Sequence, residues 1–279
     1  MLHIIEHSLL DTLKLVPFLL LTYLVMEYLE HRTGDSVQKV IRKAGKWGPL
    51  AGGLLGAVPQ CGFSAAASNL YAGRVISLGT LMAVYLSTSD EMLPIMISRQ
   101  VQPGAILEIL SVKVLIGMIA GFMIDLIGRR RHEKEHLHIH EMCEDEHCHC
   151  EDGILKSAIR HTLKISFFVL VVTLVLNIVM HTVGEEALAA VLRDCAVLGV
   201  LLSALVGLIP NCASSVVITT LFLEGAMHIG ALMAGLLANA GVGLMVLLRV
   251  NHDWKENLKI VGLLYAVSVA VGMVMGLAF

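Results

Sequence analysis

A segment in the middle of the chain, residues 129–152, alternates histidine and cysteine with acidic residues. Tracts of this composition bind metals of the zinc and copper type, because imidazole and thiolate are ligands that those ions prefer. The segment lacks the Cys-x2-Cys spacing of a structural zinc site, so we predict a flexible loop that binds several ions. The alternative is a solvated acidic linker that is rich in histidine by accident. The candidate ligands are His132, His136, His138, His140, Cys143, His147, Cys148, His149 and Cys150.

Two adjacent acids, Asp90 and Glu91, lie inside an apolar stretch and follow the hydroxyl residues Ser87, Thr88 and Ser89. In a membrane such a carboxylate costs about 2.5–3.5 kcal/mol by insertion scales, and it marks a functional site by default. Neighbouring helical positions point about 100° apart, so we expect one acid to face a given site and favour Asp90. The hydroxyls would add oxygen ligands and predict an irregular helix. Alternatively, both acids lie near the outer boundary, where headgroups and a nearby arginine satisfy them.

Two Pro-x-Cys motifs, Pro59-Gln60-Cys61 and Pro210-Asn211-Cys212, each interrupt a long apolar stretch. We expect each proline to break its helix. A thiolate in the first turn of the helix that follows has a lowered pKa and would coordinate a metal or arsenic. Soft thiolates select thiophilic ions, whereas amide oxygens such as those of Gln60 and Asn211 suit manganese. Alternatively, each cysteine is merely a small apolar residue in the membrane.

Further polar side chains could line an oxygen-rich path for an ion. Each of them, taken alone, could equally form a hydrogen bond between packed helices. They are Ser64, Asn69, Thr88, Ser89, Asn177, Ser214, Ser215 and Asn239. Lys113 lies in the 105–128 stretch and is expected to snorkel from that span to the membrane surface.

The composition requires a membrane. The chain has 279 residues, of which 56% are hydrophobic and 15% charged, and its mean hydropathy is +0.78. An average soluble chain is about one half apolar and one quarter charged, so too little polar surface remains to cover a soluble core. A net charge of −3 excludes the basic footprint of a nucleic-acid binder. We therefore predict an all-α polytopic membrane protein, and the missing Walker A loop argues against an ATP-driven pump.

Eight apolar stretches reach the length of about 20 residues that a spanning helix needs. Six are expected to form one span each, whereas 49–73 and 196–224 contain the Pro-x-Cys motifs and are expected to fold as two short helices. Each such pair is either a re-entrant hairpin or two thin full spans. The stretches are 9–29, 49–73, 78–98, 105–128, 163–182, 196–224, 228–248 and 258–279.

The chain also contains an internal repeat. With an offset of 151 residues, Gly56–Cys61 aligns with Gly207–Cys212, and Gly79–Ala83 aligns with Gly230–Ala234. We therefore predict two five-segment halves that are joined by the His/Cys-rich loop. The predicted divisions are a first transmembrane repeat at 1–128, a metal-binding loop at 129–152 and a second transmembrane repeat at 153–279.

The basic residues predict that the two halves are inverted. Cytoplasmic loops carry the excess of lysine and arginine, and such residues cluster at 32–46, 129–131 and 249–259. This distribution puts both termini outside and the loop in the cytoplasm. Inverted repeats with discontinuous helices are typical of secondary transporters, which bind substrate near the midplane. Thr88 aligns with Asn239, while only the first half keeps the acids, as expected for one cation site on the pseudo-twofold axis.

The motifs resemble those of a known family. Gly56–Ser64, Ser68–Tyr71 and Leu86–Glu91, together with Pro210–Cys212, look like the ten-helix heavy-metal exporter family, which is distantly similar to the arsenical permeases. The resemblance covers nearly the whole chain. Its members are labelled as arsenic efflux or manganese transport proteins, so the resemblance implies a membrane transporter without fixing the ion.

Together these features predict a secondary transporter, not an enzyme, that exports a divalent transition metal of the manganese or zinc class by alternating access, in exchange for protons. The metal is the substrate, and no cofactor is expected. We expect the protein to lie in a bacterial inner membrane. Its expected partners are the lipid bilayer and, in a homo-oligomer, further copies of the chain. Two alternatives remain: an arsenical permease in which Cys61 and Cys212 carry trivalent arsenic, and a membrane metal sensor that does not transport.

We expect deletion of residues 132–150 to raise the apparent KM for the metal more than it lowers the maximal rate, because this segment would gather ions rather than conduct them. Saturable metal uptake into proteoliposomes, measured over a series of metal concentrations, checks this. Complete loss of transport would instead make the segment part of the pathway.

Overall fold

The computed structural model of the chain describes residues 45–58, 61–89, 91–128, 154–183 and 196–278, and eleven residues of the first apolar stretch between residues 9 and 24. All regular secondary structure in these residues is helical, which confirms the all-α prediction. A short 3-10 turn, Gly45–Trp47, directly precedes the helix that begins at Gly48. The helices are α1 (Gly48–Gly56), α2 (Cys61–Ala72), α3 (Leu78–Ser87), α4 (Met92–Ser98), α5 (Pro103–Gly128), α6 (Ile154–Val183), α7 (Ala196–Gly207), α8 (Cys212–Leu223), α9 (Ile229–Ala238), α10 (Val242–Val250) and α11 (Trp254–Ala278).

Four stretches of the described residues are long and apolar enough to cross a membrane, which supports an integral membrane protein. One of them, Ile229–Val250, differs from the others in its surroundings: 94% of its most apolar window is buried inside the protein, against 33% for Pro103–Gly128. A central, protein-lined segment of this kind tolerates irregular backbone, because its polar groups find partners other than lipid. The other two stretches are Ala158–Val175 and Trp254–Leu277.

Two stretches that were expected to be single spans are broken in the structure. Residues 88–91, the first break, separate α3 from α4, and residues 239–241, the second break, separate α9 from α10. The irregular helix predicted at Ser87–Ser89 is therefore present, whereas the break within the predicted 228–248 span was not predicted. At the second break Gly241 has φ +55°, a left-handed conformation that favours glycine.

The helix boundaries repeat along the chain. Adding 151 to the first residue of α2, α3 and α5 gives the first residue of α8, α9 and α11. Among the described residues, α1–α5 and α7–α11 thus follow one another in the same order, and α6 precedes the second set. The sequence offset and the helix boundaries agree in register.

Glycine pairs hold the long helices against the broken ones in both halves. A Cβ atom on Gly121 of α5 would lie 2.5 Å from the carbonyl oxygen of Gly79 in α3. A Cβ atom on Gly272 of α11 would lie 2.6 Å from the carbonyl oxygen of Gly230 in α9. Real Cβ atoms essentially never come within 3.0 Å of such atoms, so only glycine permits this approach, as is usual where membrane helices pack closely.

The short helices α1 and α2 reverse direction beside α3. Gly48 at the start of α1 lies against Thr80, and Gly56 at its end lies against Ser87, so α1 runs in the same direction as α3. Because α2 starts beyond the end of α1 and is joined to the start of α3 by residues 73–77, it runs back the other way. In the second half Gly207 at the end of α7 lies against Gly235 in α9, which repeats the arrangement.

The two halves contact each other reciprocally. Helix α2 packs on α10, and α8 packs on α4, the helix that corresponds to α10. In the first of these contacts Ser68 Oγ donates to the carbonyl oxygen of Gly243 over 2.7 Å. At one end of the bundle the Arg74 guanidinium donates two hydrogen bonds of 2.7 and 2.8 Å to the Glu256 carboxylate. Tyr71 and Asn251 also donate to this carboxylate.

We expect Gly230→Ala to destabilise the protein by about 1–3 kcal/mol, because the added methyl group overpacks a tight contact. Its Cβ would lie 2.5 Å from the carbonyl oxygen of Gly272. Gly262→Ala in α11 is the matched control, since a Cβ there meets nothing within 4 Å. Thermal unfolding of the two variants in detergent checks this; equal melting temperatures would contradict the glycine contact.

Candidate ion site at the two helix breaks

The structure describes three of the four predicted site residues in the first break, and two of these three are buried hydroxyls. Thr88 caps the C-terminal end of α3 and its Oγ1 donates to the carbonyl oxygen of Val84 over 2.7 Å. Ser89 Oγ donates to the carbonyl oxygen of Ala57 over 2.8 Å. Glu91 is partly buried at the start of α4 and makes no side-chain capping hydrogen bond. The break is therefore fastened to the end of α1 by a side-chain hydrogen bond.

The second break is organised by Asn239, which is 2% exposed. This residue caps the C-terminal end of α9, and its Oδ1 accepts a 3.0 Å hydrogen bond from the backbone N–H of Gly241. With the offset of 151, Gly241 aligns with Asp90, so the second half has a turn-forming glycine where the first half has an acid. The sequence reason for this break is thus a short Asn-x-Gly turn rather than a proline.

Lys113 joins the two breaks, and its expected position was wrong. The side chain is 1% exposed, and its ammonium donates to the carbonyl oxygen of Thr88 and, over 2.9 Å, to that of Leu236. Snorkelling fails because Lys113 lies ten residues after the first residue of α5 and fifteen before its last, about 15 and 22 Å along the axis. The mid-span position of this lysine is the sequence signal that could have identified it.

The residues of the second Pro-x-Cys motif mainly shape the local backbone. Pro210 lies between α7 and α8, and Asn211 caps α8 by accepting a 3.5 Å hydrogen bond from the Ala213 N–H. Cys212 is the buried first residue of α8, and its carbonyl oxygen accepts from Ser215 Oγ over 2.8 Å. Ser214 Oγ donates to the carbonyl oxygen of Asn211 over 2.7 Å. Both serine hydroxyls thus donate to backbone carbonyl oxygens of their own helical turn.

A second set of buried polar side chains lies on α2, the helix that contacts α10 of the other half. The carbonyl oxygen of Ser64 accepts from Ser68 Oγ over 2.7 Å, and Asn69 Oδ1 accepts from the Tyr23 hydroxyl over 3.1 Å. Asn69 is fully buried, and its Nδ2 has no hydrogen-bond partner among the described residues. Most buried polar groups are paired, so this amide is an exception within the protein interior.

The remaining predicted ligands lie outside the described residues. These comprise Asp90, Pro59, Gln60 and the whole 129–152 loop, together with the side chains of Cys61 and Asn177. In the part of the chain that the structure describes, no three His, Cys, Asp or Glu side chains form a group that could hold a metal ion. The structure therefore brings together Thr88, Ser89 and Lys113, and it leaves the acid and thiol predictions untested.

These features define a polytopic, all-helical membrane protein whose central spans are broken inside the protein. Within that class, the chain matches the family described as "Putative, 10TM heavy-metal exporter" over residues 2–162 and 131–270. These segments cover most of the chain, and the chain belongs to that family. No curated protein and no solved structure matches the chain.

Proposed function

We propose that this chain exports a divalent transition metal of the manganese or zinc class by alternating access, as a secondary transporter that exchanges the metal for protons. One observation carries the proposal: the broken ends of two spans, one from each half, meet at Lys113 in the protein interior. Broken helices present backbone carbonyls and helix ends that bind ions in the middle of a membrane. Membership of a heavy-metal exporter family supports the substrate class.

The proposed ion ligands are centred on Asp90, which the chain places within the first break between Ser89 and Glu91. A carboxylate at this position would bind the cation and release it when it is protonated. Hydroxyl and carbonyl oxygens of the same break would complete a hard, oxygen-rich shell, which suits manganese. Because Gly241 replaces the acid in the second half, the transporter would have one such site.

The inverted arrangement of the two halves is part of the proposal. Arg74 follows α2, and Glu256 follows the connection between α10 and α11, so their ion pair joins these two connections at one face. The connection that corresponds to α10–α11 in the first half is α4–α5, which lies at the far end of the broken 78–98 span. Equivalent connections at opposite faces are what an inverted repeat requires.

The hairpins α1–α2 and α7–α8 are proposed to be re-entrant. Their arms have 9 to 12 residues, or about 14–18 Å, whereas the hydrocarbon core is about 30 Å thick. The hydrogen bond from Ser89 to Ala57, which links the end of α1 to a mid-span break, supports a hairpin that ends inside the membrane. The two hairpin ends would then serve as gates on either side of the ion.

We expect single cysteines at positions 75 and 253 to react with a membrane-impermeant thiol reagent from the cytoplasmic face, and cysteines at 102 and 224 from the outer face. Val75→Cys, Asp253→Cys, Gln102→Cys and Glu224→Cys, each in a chain whose six native cysteines are serine, provide the measurement in intact cells and inside-out vesicles. Labelling of 102 and 253 from the same face would mean that the halves are parallel.

Metal flux into proteoliposomes tests the function directly, with manganese, zinc, cadmium, iron(II) and arsenite compared with and without a pH gradient. We expect Asp90→Asn to lower divalent flux by about 10- to 100-fold, because a charged ligand is lost. Glu108→Gln, a carboxyl-to-amide change on the exposed side of α5, should leave the flux unchanged. Equal flux in both variants would remove Asp90 from the mechanism.

The arsenical permease remains the second candidate, because Cys212 is buried at the start of α8, directly after the connection from α7 that contains Pro210. It predicts arsenite flux that Cys61→Ser and Cys212→Ser abolish and that Asp90→Asn leaves intact. The sensor alternative predicts metal binding to the 129–152 loop without flux of any ion.

A further inference from the structure

The two carbonyl oxygens that contact Lys113 are among those that lose their regular helical partners at the breaks. In a continuous helix the Thr88 oxygen would accept from the N–H of Met92, but that N–H bonds the carbonyl oxygen of Ser89. The Leu236 oxygen would accept from the N–H of Ala240, but that N–H bonds the carbonyl oxygen of Ala238. Each half thus offers Lys113 a carbonyl oxygen that lacks its regular partner in its own helix.

These oxygens form part of a small cation site. Both belong to the C-terminal ends of short helices, where the helix dipole is negative, and both face an ammonium ion. In transporters with discontinuous helices, unwound carbonyls and half-helix C-terminal ends coordinate the coupling cation. Here the cation is carried by the protein itself.

We propose that the Lys113 ammonium is a tethered cation that occupies a monovalent-cation site formed with the carbonyl oxygens of Thr88 and Leu236. Removal of the side chain opens that site to a free alkylammonium, sodium or potassium ion. A consequence that rests on the proposed function is that the wild-type protein needs no free sodium or potassium to transport metal.

The packing of α5 holds the lysine at this position. Gly117, one turn after Lys113, lies so close to α3 that a Cβ there would be 2.8 Å from the carbonyl oxygen of Ala83. This approach brings the backbone of α5 beside the end of α3. The residue that corresponds to Lys113 in the second half is Leu264, which is fully buried, so one ammonium ion serves both helix ends.

The test compares Lys113→Ala with Lys113→Met in the purified full chain. The alanine variant lacks the atoms of one n-propylammonium ion, whereas methionine fills the space with an uncharged chain and is the matched control. At fixed pH and ionic strength, we expect n-propylammonium, sodium or potassium chloride to raise the melting temperature of Lys113→Ala by about 3 °C relative to choline chloride. Wild type and Lys113→Met should show no such difference. Equal melting temperatures of Lys113→Ala in all four salts would overturn the proposal.

A second measurement uses the wild-type protein, in case the alanine variant does not fold. Metal flux into proteoliposomes should be unchanged when choline replaces sodium and potassium on both sides. A flux that falls at least tenfold in choline would mean that a free monovalent cation is needed and would overturn the inference. Absence of metal flux in every salt would instead contradict the proposed function, and the melting temperatures would still decide whether the cation site exists.

Discussion

Backbone polar groups inside a membrane must be satisfied by the protein, because lipid offers no hydrogen-bond partner. The two breaks create that demand at residues 88–91 and 239–241, and the surrounding structure meets it. Asn239 Oδ1 accepts a hydrogen bond from the backbone N–H of Gly241, and Ser89 Oγ donates to the carbonyl oxygen of Ala57 at the end of α1. The Lys113 ammonium donates to one carbonyl oxygen in each half. The Lys113 contacts, which satisfy broken backbone in both halves, therefore also join the two halves.

Close helix packing makes these contacts possible. The glycine pairs of α3 with α5 and of α9 with α11 bring the long helices within backbone contact of the broken ones. The broken span of the second half is almost entirely enclosed by protein, so its irregular backbone is kept away from lipid. Bulkier residues at the glycine positions would separate the helices and leave the broken ends without partners.

The sequence predicted the membrane class and the all-helical fold, because composition carries that information, and the offset of 151 recurs in the first residues of three helix pairs. It did not predict the break at 239–241, since Asn239-Ala240-Gly241 contains neither a proline nor a charge and lies in an apolar run. The role of Lys113 was missed for another reason. Its contact with Leu236 joins residues 123 positions apart, and helical periodicity gives no information about such a partner.

The buried ammonium of Lys113 has a consequence for how such a chain can arise from two copies of one half. A dimer of two first halves would bring two lysines to one junction, where like charges repel strongly at low dielectric constant. A dimer of two second halves would bring two leucines and leave both carbonyl ends without a donor. The leucine at 264 and the lysine at 113 are therefore complementary, and a chain that joins both halves always supplies one of each.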